Sequence, residues 1–332
     1  MNTRKTLVRG SLGLAGAAAL AIGLVGPAAA ATSPAFVGDD TLTVATGSGD
    51  DRLALRLAPG DPGTLDVDFG DDGTADRNFV RNTFSAITVV LGSGNDTFRV
   101  DQVNGAFADE ALSVDGGRGD DVMNGGDGAE VFRGGSGDDS VDGNRGDDAA
   151  YLGSGQDSFR WDPGDGSDLV EGDSGTDTLD FNGANAAEKM TLTPNGGRAL
   201  FLRDVANIRM DMDDVEQLDL TALGGADAIT IDDMSGTDFQ RALVDLSGPT
   251  GGGDGAVDVV TANGTQNADQ VDVVTDGGAV VVQGLPTRTR IAGSETIDRL
   301  LVNTLGGNDN VHVANDVNTL IGVTVDAGSG QF

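Results

Sequence analysis

The chain has 332 residues, of which 54 are acidic and 20 are basic, so its formal net charge is −34. A surface this negative makes nucleic acid and anionic membranes poor partners and makes cations the natural counterpart. Its 53 glycines and 4% aromatic content describe a chain dense in turns, although 38% hydrophobic residues is too many for simple disorder.

The acidic residues are almost all aspartates, which turns favour because the short carboxylate bonds neighbouring backbone amides. The glutamates are only Glu110, Glu130, Glu171, Glu188, Glu216 and Glu295. The chain has no cysteine, so an exported form would have no disulfide. Metal binding is the obvious alternative cross-link.

The first segment has the features of a secretory signal peptide. Three basic residues precede an apolar run over 12–25, and small residues at 27–31 provide cleavage positions. We therefore predict a signal peptide over 1–31 and a secreted mature protein. The apolar run is short for a membrane anchor, and no later segment is predicted to insert into a bilayer.

The N-terminal region, 32–115, reads as β-structure with turns. Residues 41–44 and 64–69 alternate as strands do, and Gly-Asp half-copies of a turn stand at 47–53 and 92–98. The acidic stretch 66–73 loosely resembles an EF-hand loop, but it lacks the bidentate glutamate and flanking helices. A hairpin or a solvated acidic turn is the expected structure.

The central region, 116–181, contains seven nonapeptides, beginning with GGRGDDVMN and GGDGAEVFR. Glycine holds the fourth position, a carboxylate the sixth and an apolar residue the eighth. The apolar residues, predicted to point inward, are Met123, Phe132, Val141, Ala150, Phe159, Val170 and Leu179. Six residues suit a turn and the last three a short strand, because glycine adopts positive φ freely.

Two nonapeptides should complete one coil, which stacks equivalent turns about 4.8 Å apart. One predicted ladder of carboxylates holds Asp121, Asp139, Asp157 and Asp177, and the opposite ladder holds Glu130, Asp148 and Asp168. Stacked carboxylates repel by about 1 kcal/mol per pair in water, and Ca²⁺ between the turns would remove that repulsion. The Trp161-Asp162 insertion is expected to loop out between coils.

This repeat resembles the GGxGxDxUx nonapeptide of the repeats-in-toxin (RTX), or haemolysin-type, calcium-binding family. The resemblance implies an all-β, right-handed parallel β-roll or β-solenoid, with irregular β coils on both sides. The predicted Ca²⁺-binding residues are Gly117, Gly119, Asp121, Gly126, Gly128, Glu130, Gly135, Gly137, Asp139, Gly146, Asp148, Gly153, Gly155, Asp157, Gly164, Gly166, Asp168, Gly175 and Asp177.

Some repeats depart from the family pattern. Glu130 is one methylene longer than the usual aspartate, and Asn144, Leu152, Pro163 and Asp173 replace the first or second glycine. Sites that include Glu130 are therefore expected to fit calcium least well.

The C-terminal region, 182–332, is predicted to contain degenerate solenoid repeats. Half-copies stand at 224–229 and 306–311, without a partner of the same phase next to them in sequence. Each lone copy is expected to be a turn entering a strand more often than a metal site. In the frame of the repeat, aspartate is expected at the position of Phe332, and this predicts a truncated chain.

Catalysis is not expected. The stretch 172–175 resembles the nucleophile region of trypsin-like proteases but lies in phase within the repeat, and His312 is the only histidine. The leading hypothesis is a secreted, non-enzymatic protein that binds calcium and orders outside the cell. The alternatives are a calcium-stiffened adhesin or matrix component, with a cell surface, a glycan or itself as partner, and the calcium-binding part of a larger secreted hydrolase.

Overall fold

The computed structural model describes residues 35–328. The predicted signal peptide over 1–31 and the last residues, 329–332, lie outside this range. Within 35–328 the regular elements are 28 β-strands and three short 3₁₀ turns, at Arg81–Thr83, Val205–Asn207 and Val317–Thr319. No helix in this range is long and apolar enough to span a membrane.

The strands form two sheets, each with 14 strands among the described residues. In spatial order, the first sheet contains β1 (Ala35–Gly38), β2 (Thr41–Ala45), β6 (Ala86–Ser93), β8 (Ala111–Arg118), β10 (Val131–Ser136), β12 (Ala149–Gly155), β14 (Leu169–Gly175), β18 (Ile208–Asp213), β17 (Arg198–Arg203), β16 (Lys189–Asn195), β20 (Ala228–Ile231), β22 (Val259–Asn263), β26 (Arg299–Asn303) and β28 (Gly322–Asp326). The second contains β27 (Asn310–Val313), β23 (Gln270–Asp276), β24 (Ala279–Gln283), β25 (Arg288–Ala292), β21 (Arg241–Asp245), β19 (Gln217–Thr221), β15 (Thr178–Asn182), β13 (Ser158–Trp161), β11 (Ser140–Asp142), β9 (Val122–Asn124), β7 (Thr97–Asp101), β3 (Arg52–Ala58), β4 (Asp61–Phe69) and β5 (Arg77–Val80).

The chain alternates between the sheets and lays each pass parallel to the previous one. Val131 of β10 lies beside Ser113 of β8 and Ala149 of β12, so one coil of the central region advances by 18 residues. Two nonapeptides therefore make one coil, as predicted. The predicted fold class, an all-β parallel solenoid, is confirmed by the two mostly parallel sheets.

The core lies between the sheets and is filled by the inward residues of each strand. The eighth-position residues of all seven nonapeptides are at most 1% exposed, as the two-residue strand period predicts. The expectation that Trp161-Asp162 loops out is wrong for Trp161, whereas Asp162 follows the end of β13. Trp161 ends β13 fully buried, pairs with Phe181 of β15 and stacks on its ring at 4.2 Å. A large aromatic surface stabilises the fold more when buried than when looped into water.

After the antiparallel pair β1–β2, three antiparallel excursions interrupt the parallel coils between residues 35 and 328: β3–β4–β5, β16–β17–β18 and β23–β24–β25. In the second excursion, the chain leaves two strand positions of the first sheet empty when it forms β16. It then returns and fills them with β17, which pairs with β16, and with β18, which pairs with β14. The first includes 66–73, where Asp68 accepts N–H bonds from Asp72 and Gly73. The predicted hairpin is thus confirmed at this stretch.

Candidate metal centre

The turns between the sheets form two edges of the solenoid. At the first edge the chain passes from the first sheet to the second, and at the second edge it returns. The first edge holds the predicted residues Gly117, Gly119, Asp121, Gly135, Gly137, Asp139, Gly153, Gly155, Asp157, Gly175 and Asp177. The second edge holds Gly126, Gly128, Glu130, Gly146, Asp148, Gly164, Gly166 and Asp168. The structure thus gathers each predicted ladder on one edge and separates the two ladders.

Backbone hydrogen bonds hold the first-edge carboxylates in register. The backbone N–H of Asp121 donates to Oδ1 of Asp139 at 2.8 Å, and that of Asp139 donates to Oδ1 of Asp157 at 2.7 Å. Asp157 donates in the same way to Asp177 at 2.9 Å. Each carboxylate is therefore fixed by the backbone of the preceding coil, and the stacking predicted from the repeat is confirmed.

The second oxygen of these carboxylates has no partner. Within the described residues, six Oδ2 atoms are buried without any hydrogen bond, and they belong to Asp96, Asp121, Asp139, Asp148, Asp157 and Asp177. All six residues are at most 3% exposed. An unpartnered buried carboxylate oxygen is costly, because it loses water and gains nothing in exchange.

The first-position glycines leave the space that these oxygens face. A Cβ on Gly116 would lie 2.5 Å from Asp121 Oδ2 and 2.7 Å from the carbonyl oxygen of Gly134. A Cβ on Gly134 would lie 2.4 Å from Asp139 Oδ2 and 2.3 Å from the carbonyl oxygen of Leu152. A carboxylate and a carbonyl oxygen thus share a space that a side chain would fill. The sequence-based set omitted these glycines, although the doubled glycine of the repeat was the signal for them.

The later glycines permit close stacking of the turns. Gly137 has φ +128°, and a Cβ there would lie 2.2 Å from the carbonyl oxygen of Gly119. Where the second glycine is replaced, Asn144 and Asp173 have φ of 58° and 63°, a region that these residue types tolerate. Gly164 differs, because its φ is +125° but nothing lies within 4 Å of its Cβ position.

Burial raises the pKa of the ladder carboxyls, and neighbouring carboxylates add to the effect at most of them. The pKa of Asp121 is raised to about 6, those of Asp139 and Asp177 to about 7, and that of Asp148 to about 9. The backbone N–H donors oppose this shift without cancelling it. Among residues 35–328, no ladder carboxylate of the central region has a salt bridge to a basic side chain.

Glu130 makes the second edge less uniform than the first. Its two oxygens accept the N–H groups of Gly126 and Gly128, both at 3.1 Å, within its own turn. Its backbone N–H donates to Asp148 Oδ1, and that of Asp148 donates to Asp168 Oδ1. The extra methylene thus lets the Glu130 carboxylate accept both hydrogen bonds within its own turn. The poorer fit to calcium expected at this position stays a prediction.

The half-copies are isolated in sequence but not in space. Asp51 donates to Asp96 and Asp96 to Asp121, so the first-edge ladder begins two coils before the tandem repeats. On the second edge, backbone N–H bonds join Glu188 to Asp227, Asp258 and Asp298 in succession, and on the first edge Asp269 donates to Asp309. The chain between these turns varies in length, so a fixed sequence period could not reveal the register.

Sequence analysis also missed two glutamates, one acidic cluster and three aspartates of these later ladders, Asp258, Asp269 and Asp298. Glu216 accepts the N–H of Asp177 at 2.8 Å and extends the first-edge ladder, whereas Glu188 belongs to the second edge. Asp213, Asp214 and Asp238 bring three carboxylate oxygens within 4.8 Å of one another outside the ladders, at half-buried and exposed positions.

The two residues considered as catalytic candidates lie at the surface. Ser174 is exposed in β14, and His312 is exposed in β27, 3.5 Å from Asp272. Comparison with models of known protein families and with curated proteins finds no match for this chain. The repeat and the geometry of the two edges are therefore the features of this chain that bear on its function.

Proposed function

We propose that the chain is a secreted calcium-binding protein whose two edges bind Ca²⁺ between stacked turns. The observation that carries this proposal is the set of buried Oδ2 atoms without partners, repeated from Asp96 to Asp177 along the first edge. A native chain rarely buries several unpartnered anionic oxygens in a regular row. A cation between the turns would give each of them a ligand bond.

The donor set favours calcium over other metals. It consists of carboxylate oxygens, with glycine and leucine carbonyl oxygens beside them, and histidine and cysteine contribute nothing to it. Ca²⁺ accepts six to eight such oxygens in flexible geometry, whereas Mg²⁺ requires a tight octahedron and transition metals prefer nitrogen or sulfur. Asp121, Asp139, Asp157 and Asp177 would hold ions on the first edge, and Asp148 and Asp168 on the second.

Calcium would also couple binding to folding. The raised pKa values mean that burial of these carboxyls as anions is unfavourable without a cation. We infer that the folded tandem coils are only marginally stable at low calcium and gain stability at the ~10⁻⁴ to 10⁻³ M affinities of extracellular modules. The predicted signal peptide would deliver the chain to that environment.

The test is a metal count on the mature chain, from residue 32 onward, combined with its β-sheet signal. Native mass spectrometry in millimolar Ca²⁺ should show several bound ions, with Mg²⁺ at the same concentration as the control. Circular dichroism should show a loss of β-structure on addition of EGTA and its recovery with excess Ca²⁺. A chain that takes up no Ca²⁺ and keeps the same spectrum in EGTA would exclude the proposal.

A further inference from the structure

Glu188 is a ladder carboxylate in a different electrostatic setting. It precedes β16 on the second edge, its side chain is 0% exposed, and its backbone N–H donates to Asp227 Oδ1 at 2.8 Å. Its Oε2 accepts the N–H of Ala184 at 2.7 Å, as Glu130 does with the glycines of its own turn. By position and backbone contacts, Glu188 is a member of the second-edge ladder.

The difference is an internal cation. The guanidinium of Arg203, at the end of β17, contacts Oε1 of Glu188 through Nε and Nη2, and its side chain is 3% exposed. The guanidinium also lies 5.1 Å from the centre of the Trp161 ring, which stacks on Phe181. Phe201, two residues before Arg203, packs on Phe181 at 4.6 Å. Arg203 is therefore held in place by a cation–π contact within an aromatic cluster.

We propose that the guanidinium of Arg203 stands in for a bound cation at Glu188, so that this turn excludes calcium and is neutral without it. This inference rests on the proposed function. The antiparallel excursion makes it feasible, because β17 brings a segment of different sequence to the edge. In the tandem coils, the neighbours of each acid are turn glycines and further acids.

The position of Arg203 also divides the second edge. Asp168 precedes β14 and Glu188 precedes β16, and the connection between β17 and β18, residues 204–207, lies between them. The carboxylates before this connection form one group, and Asp227, Asp258 and Asp298 form another with Glu188. Arg203 is thus a positioning residue that fixes where the second edge takes up ions.

Replacement of Arg203 by methionine removes the charge while keeping a long side chain. We expect Arg203→Met to melt roughly 5–10 °C lower than wild type in EGTA, because Glu188 is left buried without its partner. In Ca²⁺ it should bind one more ion per chain than wild type, by native mass spectrometry, and recover most of that loss. Arg209→Met is the matched control, because Arg209 is exposed and pairs with the half-buried Asp211. It should change neither quantity.

A double variant keeps the test decisive if Arg203→Met fails to fold. Glu188→Gln combined with Arg203→Met removes both charges, and we expect a fold, a melting temperature in EGTA near wild type and no additional ion. A double variant that is as unstable as Arg203→Met would show that packing on Trp161, and not charge, is the role of Arg203. Equal ion counts in wild type and Arg203→Met would also overturn the inference. If the wild-type chain bound no Ca²⁺, the proposed function would be excluded instead. The melting temperatures of the variants in EGTA would still show whether Arg203 neutralises Glu188.

Discussion

In the tandem coils over 116–181 the buried ladder carboxylates have no basic partner, whereas two buried carboxylates beside the antiparallel excursions are paired with arginine. Asp68 of β4 pairs with Arg56 of β3 at 2.6 Å, and Glu188 pairs with Arg203 of β17. All four side chains are at most 5% exposed. One fold thus buries acids in two settings, with and without an internal counterion.

The difference follows from how each region is built. A parallel coil of two nonapeptides places like residues above one another every 18 residues, so an acid in the repeat always meets another acid. An antiparallel excursion places a strand beside a segment of unrelated sequence, which can supply an arginine. A tandem repeat therefore places no basic side chain at its own ladder positions, and under the proposed function the counterion is Ca²⁺ from solution.

The largest effect should come from blocking the close approach of the tandem turns. We expect Gly137→Ala to lower the free energy of unfolding in Ca²⁺ by about 3–5 kcal/mol, because alanine is strained at φ +128° and its Cβ would lie 2.2 Å from Gly119 O. Denaturant titration followed by circular dichroism measures this. Gly70→Ala is the control for strain alone, since Gly70 is outside the predicted calcium-binding residues, its φ is +98° and nothing in the described part of the chain lies within 4 Å of its Cβ position; it should cost about 1–2 kcal/mol. Equal losses would mean that contact between turns does not matter.

The same substitution in the two regions should have opposite calcium dependence. Asp139→Asn keeps an acceptor for the Asp121 N–H but removes a buried charge, so it should stabilise the chain in EGTA and destabilise it in Ca²⁺, by about 2 kcal/mol each. Asp68→Asn breaks the pair with Arg56 and should cost about 3 kcal/mol in both conditions. Melting curves with and without Ca²⁺ distinguish the two patterns.

Asp138→Asn is the control for this pair of variants, because Asp138 is the exposed neighbour of Asp139 and its Oδ1 accepts the Gln156 N–H, which asparagine can also accept. It should leave both melting temperatures nearly unchanged. If Asp139→Asn destabilised the chain equally in EGTA and in Ca²⁺, the contrast between the regions would be lost.

The pH dependence of the calcium-free chain should report the ladder carboxyls on a smaller scale. The folded-state pKa values of Asp139 and Asp177, about 7, lie above the ordinary aspartate value, so the calcium-free folded chain binds protons that the unfolded chain releases. These carboxyls therefore contribute most to the stability of the calcium-free chain at low pH, and that contribution is lost as pH rises from about 4 to about 7, with a melting shift on the order of 5 °C. Calcium needs the deprotonated form, so its stabilising effect should grow over the same range. A flat calcium-free profile by calorimetry between pH 4 and 8 would contradict this.

The repeat was sufficient to predict the coil, both carboxylate ladders of the central region and the inward residues. The position of a residue within the repeat determines the edge or sheet in which it lies and the face to which it points. One period therefore predicts the locations of Asp121, Phe132 and Asp139 together. Contacts between unlike segments could not be predicted in this way. Arg203 meets Glu188 only because β17 runs antiparallel, and Trp161 is buried because Phe181 stands opposite it in the next coil. The ladder partner of Asp51, 45 residues away, is likewise invisible to a period of 18.

The smallest effect is expected at Glu130, which departs from the repeat pattern and whose carboxylate accepts hydrogen bonds within its own turn. Aspartate at this position is too short to accept both the Gly126 and Gly128 N–H groups, so one oxygen would be freed toward the ladder. We expect Glu130→Asp to lose about 1 kcal/mol of stability in EGTA, as a hydrogen bond is given up. Calcium affinity at the second edge should rise roughly fivefold, which corresponds to about 1 kcal/mol.

Isothermal titration measures the affinity, with Glu171→Asp as the control, since Glu171 lies outside both ladders and pairs with Arg198. Weaker binding in Glu130→Asp would show that the longer carboxylate already holds an ion and that the second edge, like the first, is open to calcium along the whole tandem region.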